Sequence, residues 1–136
     1  MIDAFLKNFF QCYAHSKEEI PSFTQIYSGN TLLSQEYNFT RESKNQVLHS
    51  EVLAIQNLNR EKIYNKNTTL LTTLEPCLMC AGAIMKARIE NVIYFAETKP
   101  NEGISSIPME IFYSQNFVPK ILFIKNLEIE KLFSSF

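Results

Sequence analysis

The sequence contains no tryptophan and, in 136 residues, only three cysteines, three glycines and two histidines. So little glycine excludes a collagenous repeat, and the twelve scattered asparagines form no low-complexity tract. No internal repeat is visible, and no apolar run approaches the roughly 18 residues that mark a transmembrane helix. The apolar beginning of the chain is broken by Lys7, His15, Lys17 and Glu18, and no small-residue cleavage site follows. That argues against a signal peptide and for a cytoplasmic location. Charge of one sign is also missing. Thirteen Lys plus Arg against fourteen Asp plus Glu leave a net charge of -1, which denies the chain the whole-surface positive field of a general nucleic-acid binder. A nucleic-acid partner has to be held by a local patch. What is plentiful is apolar mass: 46% hydrophobic against 20% charged, with eleven Phe and fourteen Ile. The length suits one domain, residues 1–136.

Three cysteines, Cys12, Cys77 and Cys80, cannot all pair within one chain, and two of them lie three positions apart. This pattern suits a metal or redox site in a reducing compartment better than a secreted disulfide framework.

Ile2, Phe5, Leu6, Phe9, Phe10 and Tyr13 recur at helical steps and predict a first helix ending before Pro21. Phe23–Tyr27 and Thr31–Glu36 read as a hairpin of poor alternation around a Ser28-Gly29-Asn30 turn. A polar loop follows, then a helix starting near His49, a strand over Thr68–Thr73 ended by Glu75-Pro76, a helix over Leu78–Ala87 and a strand over Asn91–Phe95. Glu97–Ser106 reads as a surface loop, Met109–Ser114 as a short helix, Lys120–Lys125 as a strand and Leu127–Phe136 as a last helix. Alternating strands and helices predict an α/β sheet covered on both faces, with right-handed crossovers making the later strands parallel.

The strongest local signal is Pro76-Cys77-Leu78-Met79-Cys80, between a strand and a helix. Thiols at a helix start feel the positive end of the helix dipole, which favours thiolate and hence either a redox pair or zinc ligation. His49-Ser50-Glu51, at another helix start, tips the balance. His49, Cys77 and Cys80 make the three protein ligands of a catalytic zinc, and Glu51 is the candidate general base. Residues two apart on a regular helix diverge, so His49 and Glu51 converge only if His49 is still in the entry turn. H-x-E followed by P-C-x-x-C is the signature of the zinc base deaminases, in which a non-ligand glutamate shuttles the proton. Cys12 is expected to be an ordinary buried residue.

On these motifs, and on the run Thr72-Thr73-Leu74-Glu75-Pro76-Cys77-Leu78-Met79-Cys80-Ala81-Gly82-Ala83-Ile84 with Ala87-Arg88-Ile89 and Val92-Ile93-Tyr94, the sequence resembles the cytidine deaminase superfamily. Within it, the pattern is most similar to the bacterial tRNA-specific adenosine deaminases. The resemblance implies a three-layer α-β-α sandwich around a mixed five-stranded sheet, a Zn2+ cofactor and a homodimer. It further implies a tRNA anticodon loop as partner, with no DNA or membrane, and hydrolysis of the wobble adenosine to inosine. It makes Asn38 the residue that hydrogen-bonds the base and Lys44, Thr98 and Lys99 substrate contacts, with Arg41, Lys86, Arg88 and Lys120 as further basic residues near the mouth.

The sequence departs from that branch in several places. Ser22-Phe23-Thr24 stands where the branch has x-glycine-alanine after proline, so a bulky Phe23 is expected to alter packing near the pocket. Ser50 replaces an alanine, and the arginine-rich tail is missing. A deaminase of a free base, nucleoside or nucleotide, and a noncatalytic zinc-stabilised binding protein, stay open as alternatives.

Overall fold

The computed structural model describes residues 1–13, 20–37, 49–58 and 67–134. Within them the elements run α1 (Ile2–Tyr13), β1 (Phe23–Ser28), β2 (Thr31–Tyr37), α2 (Ser50–Gln56), β3 (Thr68–Leu74), α3 (Leu78–Ala87), β4 (Asn91–Ala96), a 3-10 turn (Ile104–Ser106), α4 (Met109–Ser114), β5 (Lys120–Phe123) and α5 (Leu127–Phe133).

The five strands lie in the order β2-β1-β3-β4-β5. β1 pairs antiparallel with β2 and with β3, whereas β3, β4 and β5 run parallel. The hairpin closes through Gly29 at φ +56°, a conformation that L side chains rarely adopt.

Two cores sandwich the sheet. Ile26, Leu70, Val92 and Tyr94 face Ala54 of α2 and Ala81, Ile84 and Met85 of α3. Phe23, Tyr27, Leu71 and Phe95 face Phe5 and Phe9 of α1 and Ile129 of α5. Odd-numbered β1 residues thus turn towards α1 and even-numbered ones towards α2. Both faces are covered, so β1 is buried from Phe23 through Tyr27. This is the reason its sequence shows so little alternation.

Phenylalanine rings supply the aromatic mass of the second core. Phe5 stacks on Phe23 at 5.3 Å and on Phe95 at 5.2 Å between ring centroids, and Phe23 stacks on Tyr37 at 4.8 Å. Phe23 therefore fills the α1 core, on the sheet face opposite α2, rather than crowding Glu51. With Phe5 fully buried at the centre of this stack, Phe5→Ala is expected to lower the unfolding free energy by about 3–5 kcal/mol in urea titrations of the zinc-loaded protein. A loss below about 1 kcal/mol would mean that the stack is not a structural centre.

The stretch after β4 is a surface loop over most of its length, but it tucks in at Gly103 and Ile104. Gly103 bridges to Cys77, Ile104 N–H donates to the Pro76 carbonyl at 2.9 Å, and the Ile104 side chain is fully buried. An acidic side chain anchors it: the buried Glu75 carboxylate accepts from Thr98 N–H at 3.3 Å and from Ser105 N–H at 2.8 Å. Ser105 Oγ donates to it as well. A Cβ at Gly103 would run into that carboxylate, so the close approach requires glycine.

Candidate metal centre

β3 delivers Glu75, Pro76 and Cys77 to the C-terminal edge of the parallel strands, and α3 starts there. Both His49 and Cys77 are N-cap residues in extended backbone, His49 at φ -70° and ψ 150°, Cys77 at φ -71° and ψ 176°. Each carbonyl accepts the first bond of its helix, from Leu53 N–H at 3.0 Å and from Ala81 N–H at 2.8 Å. Because His49 stands outside the regular helix, it and Glu51 escape the divergence of residues two apart and meet at one site.

The donor atoms converge tightly. Cys77 Sγ lies 3.6 Å from His49 Nδ1, Cys80 Sγ lies 3.5 Å from the same nitrogen, and the two sulfurs are 3.6 Å apart. A tetrahedral zinc with bonds of about 2.3 Å to sulfur and about 2.05 Å to nitrogen needs separations of about 3.8 Å between sulfurs and about 3.6 Å from sulfur to nitrogen. The triangle fits that ion to within a few tenths of an ångström. Among the described residues this is the group of His, Cys, Asp and Glu side chains able to hold a metal. Three donors rather than four is the ligand number of a catalytic zinc.

The two thiols are unlike each other. Cys80 is fully buried and Cys77 half-buried. The shared S–H···S contact with Cys80, reinforced by His49, lowers the Cys77 thiol to about 4. The same contact and burial push Cys80 up. Cys12 stays outside the cluster, free and partly buried on α1.

Glu51 is buried beside these donors. Burial raises its pKa, against hydrogen bonds from Cys80 and Thr72 that pull it down. Thr72 Oγ1 donates to Glu51 Oε1 at 2.8 Å. A carboxylate that resists ionisation next to a metal site is suited to carrying a proton.

A cavity of about 170 Å³ opens over the cluster, lined by Ile20, Ser22, His49, Glu51, Cys77, Thr98 and Phe133 among others. It shares Ile20, Leu74, Thr98 and Phe133 with an adjoining hollow that Lys99 borders. Thr98 thus lines the site and Lys99 stands at its side. Asn38, Lys44 and Arg41 lie outside the described residues. Arg88 and Lys120 sit at the opposite end of the sheet, just before β4 and at the start of β5. Arg88 is held there by a hydrogen bond to the Gln115 carbonyl at 3.0 Å and by the Phe117 ring. They are corrected as mouth residues: sequence alone does not tell which end of a parallel strand a charge occupies, and strands of this length span about 20 Å. Sequence reasoning also missed the wall residues Ile20 and Phe133 and the anchoring role of Glu75, whose one signal was a carboxylate set in an apolar stretch.

A His/Cys2 cluster with a buried carboxylate, at paired helix starts on an α-β-α sandwich, defines a zinc-centred site built for hydrolytic chemistry. Residues 11–96 match the cytidine and deoxycytidylate deaminase zinc-binding region, and the chain belongs to that family. It is similar to a tRNA-specific adenosine deaminase of Streptococcus pyogenes serotype M1, at 37% identity over 93 residues covering 67% of this chain and 54% of that protein. A tRNA-specific adenosine deaminase of Aquifex aeolicus is 35% identical over 96 residues, 69% of this chain and 64% of that one. The chain's matched stretch thus spans between about half and two thirds of these relatives. A solved structure from studies of A-to-I editing by tRNA:A34 deaminases superposes with a TM-score of 0.68 at 25% identity, covering 91% of this chain and 90% of that one. A guanine deaminase from Nitrosomonas europaea shares the fold, with a TM-score of 0.71 at 14% identity over 97% of this chain and 82% of that one.

Proposed function

We propose that residues 1–136 form a single zinc deaminase domain that hydrolyses adenosine at the wobble position of tRNA to inosine, releasing ammonia. The observation that carries the chemistry is the buried Glu51 carboxylate against a three-donor His49, Cys77, Cys80 cluster. The substrate follows from the likeness to adenosine deaminases of tRNA at up to 37% identity.

In this reading His49 Nδ1 and the two thiolates hold the metal. When bound, zinc supplies the Lewis acidity that makes water a nucleophile at neutral pH. Glu51 accepts a proton from that water and delivers it to the ring nitrogen next to the attacked carbon; it then takes the proton of the hydroxyl now bonded to that carbon and passes it to the departing amine, which leaves as ammonia. The adenine enters flipped out of its stack, because a stacked ring carbon is out of reach. Ile20 and Phe133 give the cavity apolar walls, and Thr98 faces the base. Lys99, at the rim, meets a phosphate. Asn38 and Lys44 complete the substrate contacts.

The domain works as a homodimer. Leu78 and Met79, beside the metal ligands, are 54% and 40% exposed, as expected of a face that a partner covers. Cys12, Cys77 and Cys80 form no disulfide, which suits the reducing cytoplasm. Among the described residues no helix is long and apolar enough to cross a membrane.

Incubating the zinc-loaded protein with anticodon stem-loops and with free guanine and cytosine tests the reading. Inosine should form from an adenosine-containing loop. With about three phosphates contacted, the log–log salt slope of RNA affinity should be about -2, far from the slope of about -10 shown by extensive phosphate grippers. Ammonia from free guanine or cytosine, with no inosine from any stem-loop, would replace this substrate with a free base.

A further inference from the structure

On the sheet side of Glu51, four hydroxyls stand in series. Ser22 precedes β1, Thr24 lies on β1, Ser50 opens α2 and Thr72 lies on β3. Ser22 Oγ is 2.8 Å from Ser50 Oγ, and Ser50 Oγ is 2.8 Å from Thr24 Oγ1. Thr24 Oγ1 is 3.0 Å from Thr72 Oγ1, and Thr72 Oγ1 is 2.8 Å from Glu51 Oε1. Thr24, Ser50 and Thr72 are fully buried and Ser22 is 6% exposed.

Such a row is not what the core needs. The same face carries Ile26, Ala54 and Leu70, and small apolar residues would pack there without any polar group to satisfy. Counting protons gives the row a direction. Each hydroxyl has one hydrogen to donate. Thr72 spends its hydrogen on the carboxylate, Thr24 on Thr72, Ser50 on Thr24 and Ser22 on Ser50. Ser50 Oγ also donates to Glu51 Oε1 at 3.4 Å, a longer second branch for the same hydrogen, so the row meets that oxygen through Ser50 as well as through Thr72. The donors of the row thus run towards one carboxylate oxygen, Glu51 Oε1. Hydrogen bonds aligned head to tail polarise one another, and the last of them is made to a group that can carry charge.

We infer that the Ser22–Ser50–Thr24–Thr72 row is a positioning device for Glu51: it pins Oε1 to the sheet and so fixes where the other carboxylate oxygen faces the metal cluster. The row acts only through Glu51, so its members are positioning residues. The inference rests on the reading of Glu51 as the proton carrier. It assigns a role to Thr24, Ser50 and Thr72, on three separate elements, and to Ser22 just ahead of β1. A carboxylate free to turn about its last torsion spends part of its time aimed away from the reacting atoms, and misplacement by about 1 Å can lower rates about 100-fold.

The test is Thr72→Val, which keeps the shape and removes the hydroxyl. We expect kcat on the anticodon stem-loop to fall about 10- to 100-fold with KM changed less than about threefold, and Thr72→Ser to restore kcat to within about threefold. Crystals of zinc-loaded Thr72→Val should show the Glu51 carboxylate rotated or split between orientations, with His49, Cys77 and Cys80 unmoved. Should Thr72→Val not fold, the Thr24→Ala, Ser50→Ala double variant removes a mutually bonded pair from the middle of the row and leaves Thr72 bonded to Glu51. It should show a smaller loss in kcat at constant KM. Wild-type kcat together with an unmoved carboxylate in whichever variant folds overturns the inference. A wild-type protein inactive on every substrate removes the deaminase reading instead, and the carboxylate orientation in the variant crystals still decides the positioning claim.

Discussion

Glu51→Gln should leave the protein folded and zinc-loaded and remove about 10²- to 10⁴-fold of its turnover. The amide has the size of the carboxylate, and its oxygen can still accept from Thr72 Oγ1, now 2.8 Å away from Glu51 Oε1. What it cannot do is take a proton from water and pass it on. Burial strengthens the expectation. With Glu51 only 4% exposed, bulk solvent is poorly placed to stand in as the base. Metal analysis and circular dichroism on the variant separate lost chemistry from lost structure, and single-turnover rates on an anticodon stem-loop give the magnitude. A folded, zinc-replete Glu51→Gln protein within about tenfold of the wild-type rate would take Glu51 out of the proton path.

The contrast between Glu51 and its surroundings also marks how far the sequence could be read. α3 is bounded at Leu78 and Ala87 as its sequence predicts, because a proline-led cysteine pair before a run of small and long apolar residues specifies a helix start locally. His49 and Cys77 could be paired from sequence for the same reason: each is the residue at which a helix begins, so each carries its own geometry. β1 was legible as a strand, Phe23–Ser28 against the expected Phe23–Tyr27, but its two faces were not, because both are covered and a strand without a wet face loses its period of two. The residues 97–106 looked solvated from Glu97, Lys99, Asn101 and Glu102, yet Ile104 is fully buried and Gly103 abuts Glu75. Nothing local announces a contact with a residue almost thirty positions earlier. The hydroxyl row was illegible in the same way. Ser22, Thr24, Ser50 and Thr72 each suit their own element, and only the register of β1 against β3, which sets Thr24 opposite Thr72, brings them together.

The largest effect on the centre itself is expected from Cys80→Ser, which should reduce zinc from one ion per chain to near none at micromolar protein. Cys80 Sγ lies 3.5 Å from His49 Nδ1 and 3.6 Å from Cys77 Sγ, so a bound zinc would touch all three donors. A serine hydroxyl is shorter, harder and not deprotonated near neutral pH, and the two remaining ligands cannot hold the ion against water. The loss of affinity should exceed the 10- to 100-fold, roughly, that follows removal of a residue merely supporting a ligand. Stability should change with it. A metal that binds only the folded chain contributes about 4 kcal/mol when present at about 1,000 times its dissociation constant. A chelator should therefore lower the wild-type Tm and leave that of Cys80→Ser unmoved. Cys12→Ser is the control, since Cys12 lies on α1 apart from the cluster, and it should keep full zinc and the chelator response. Stoichiometric zinc in Cys80→Ser, measured by plasma mass spectrometry after dialysis, would mean that the ion is held elsewhere and that the 3.5–3.6 Å triangle is a contact of free thiols with an imidazole.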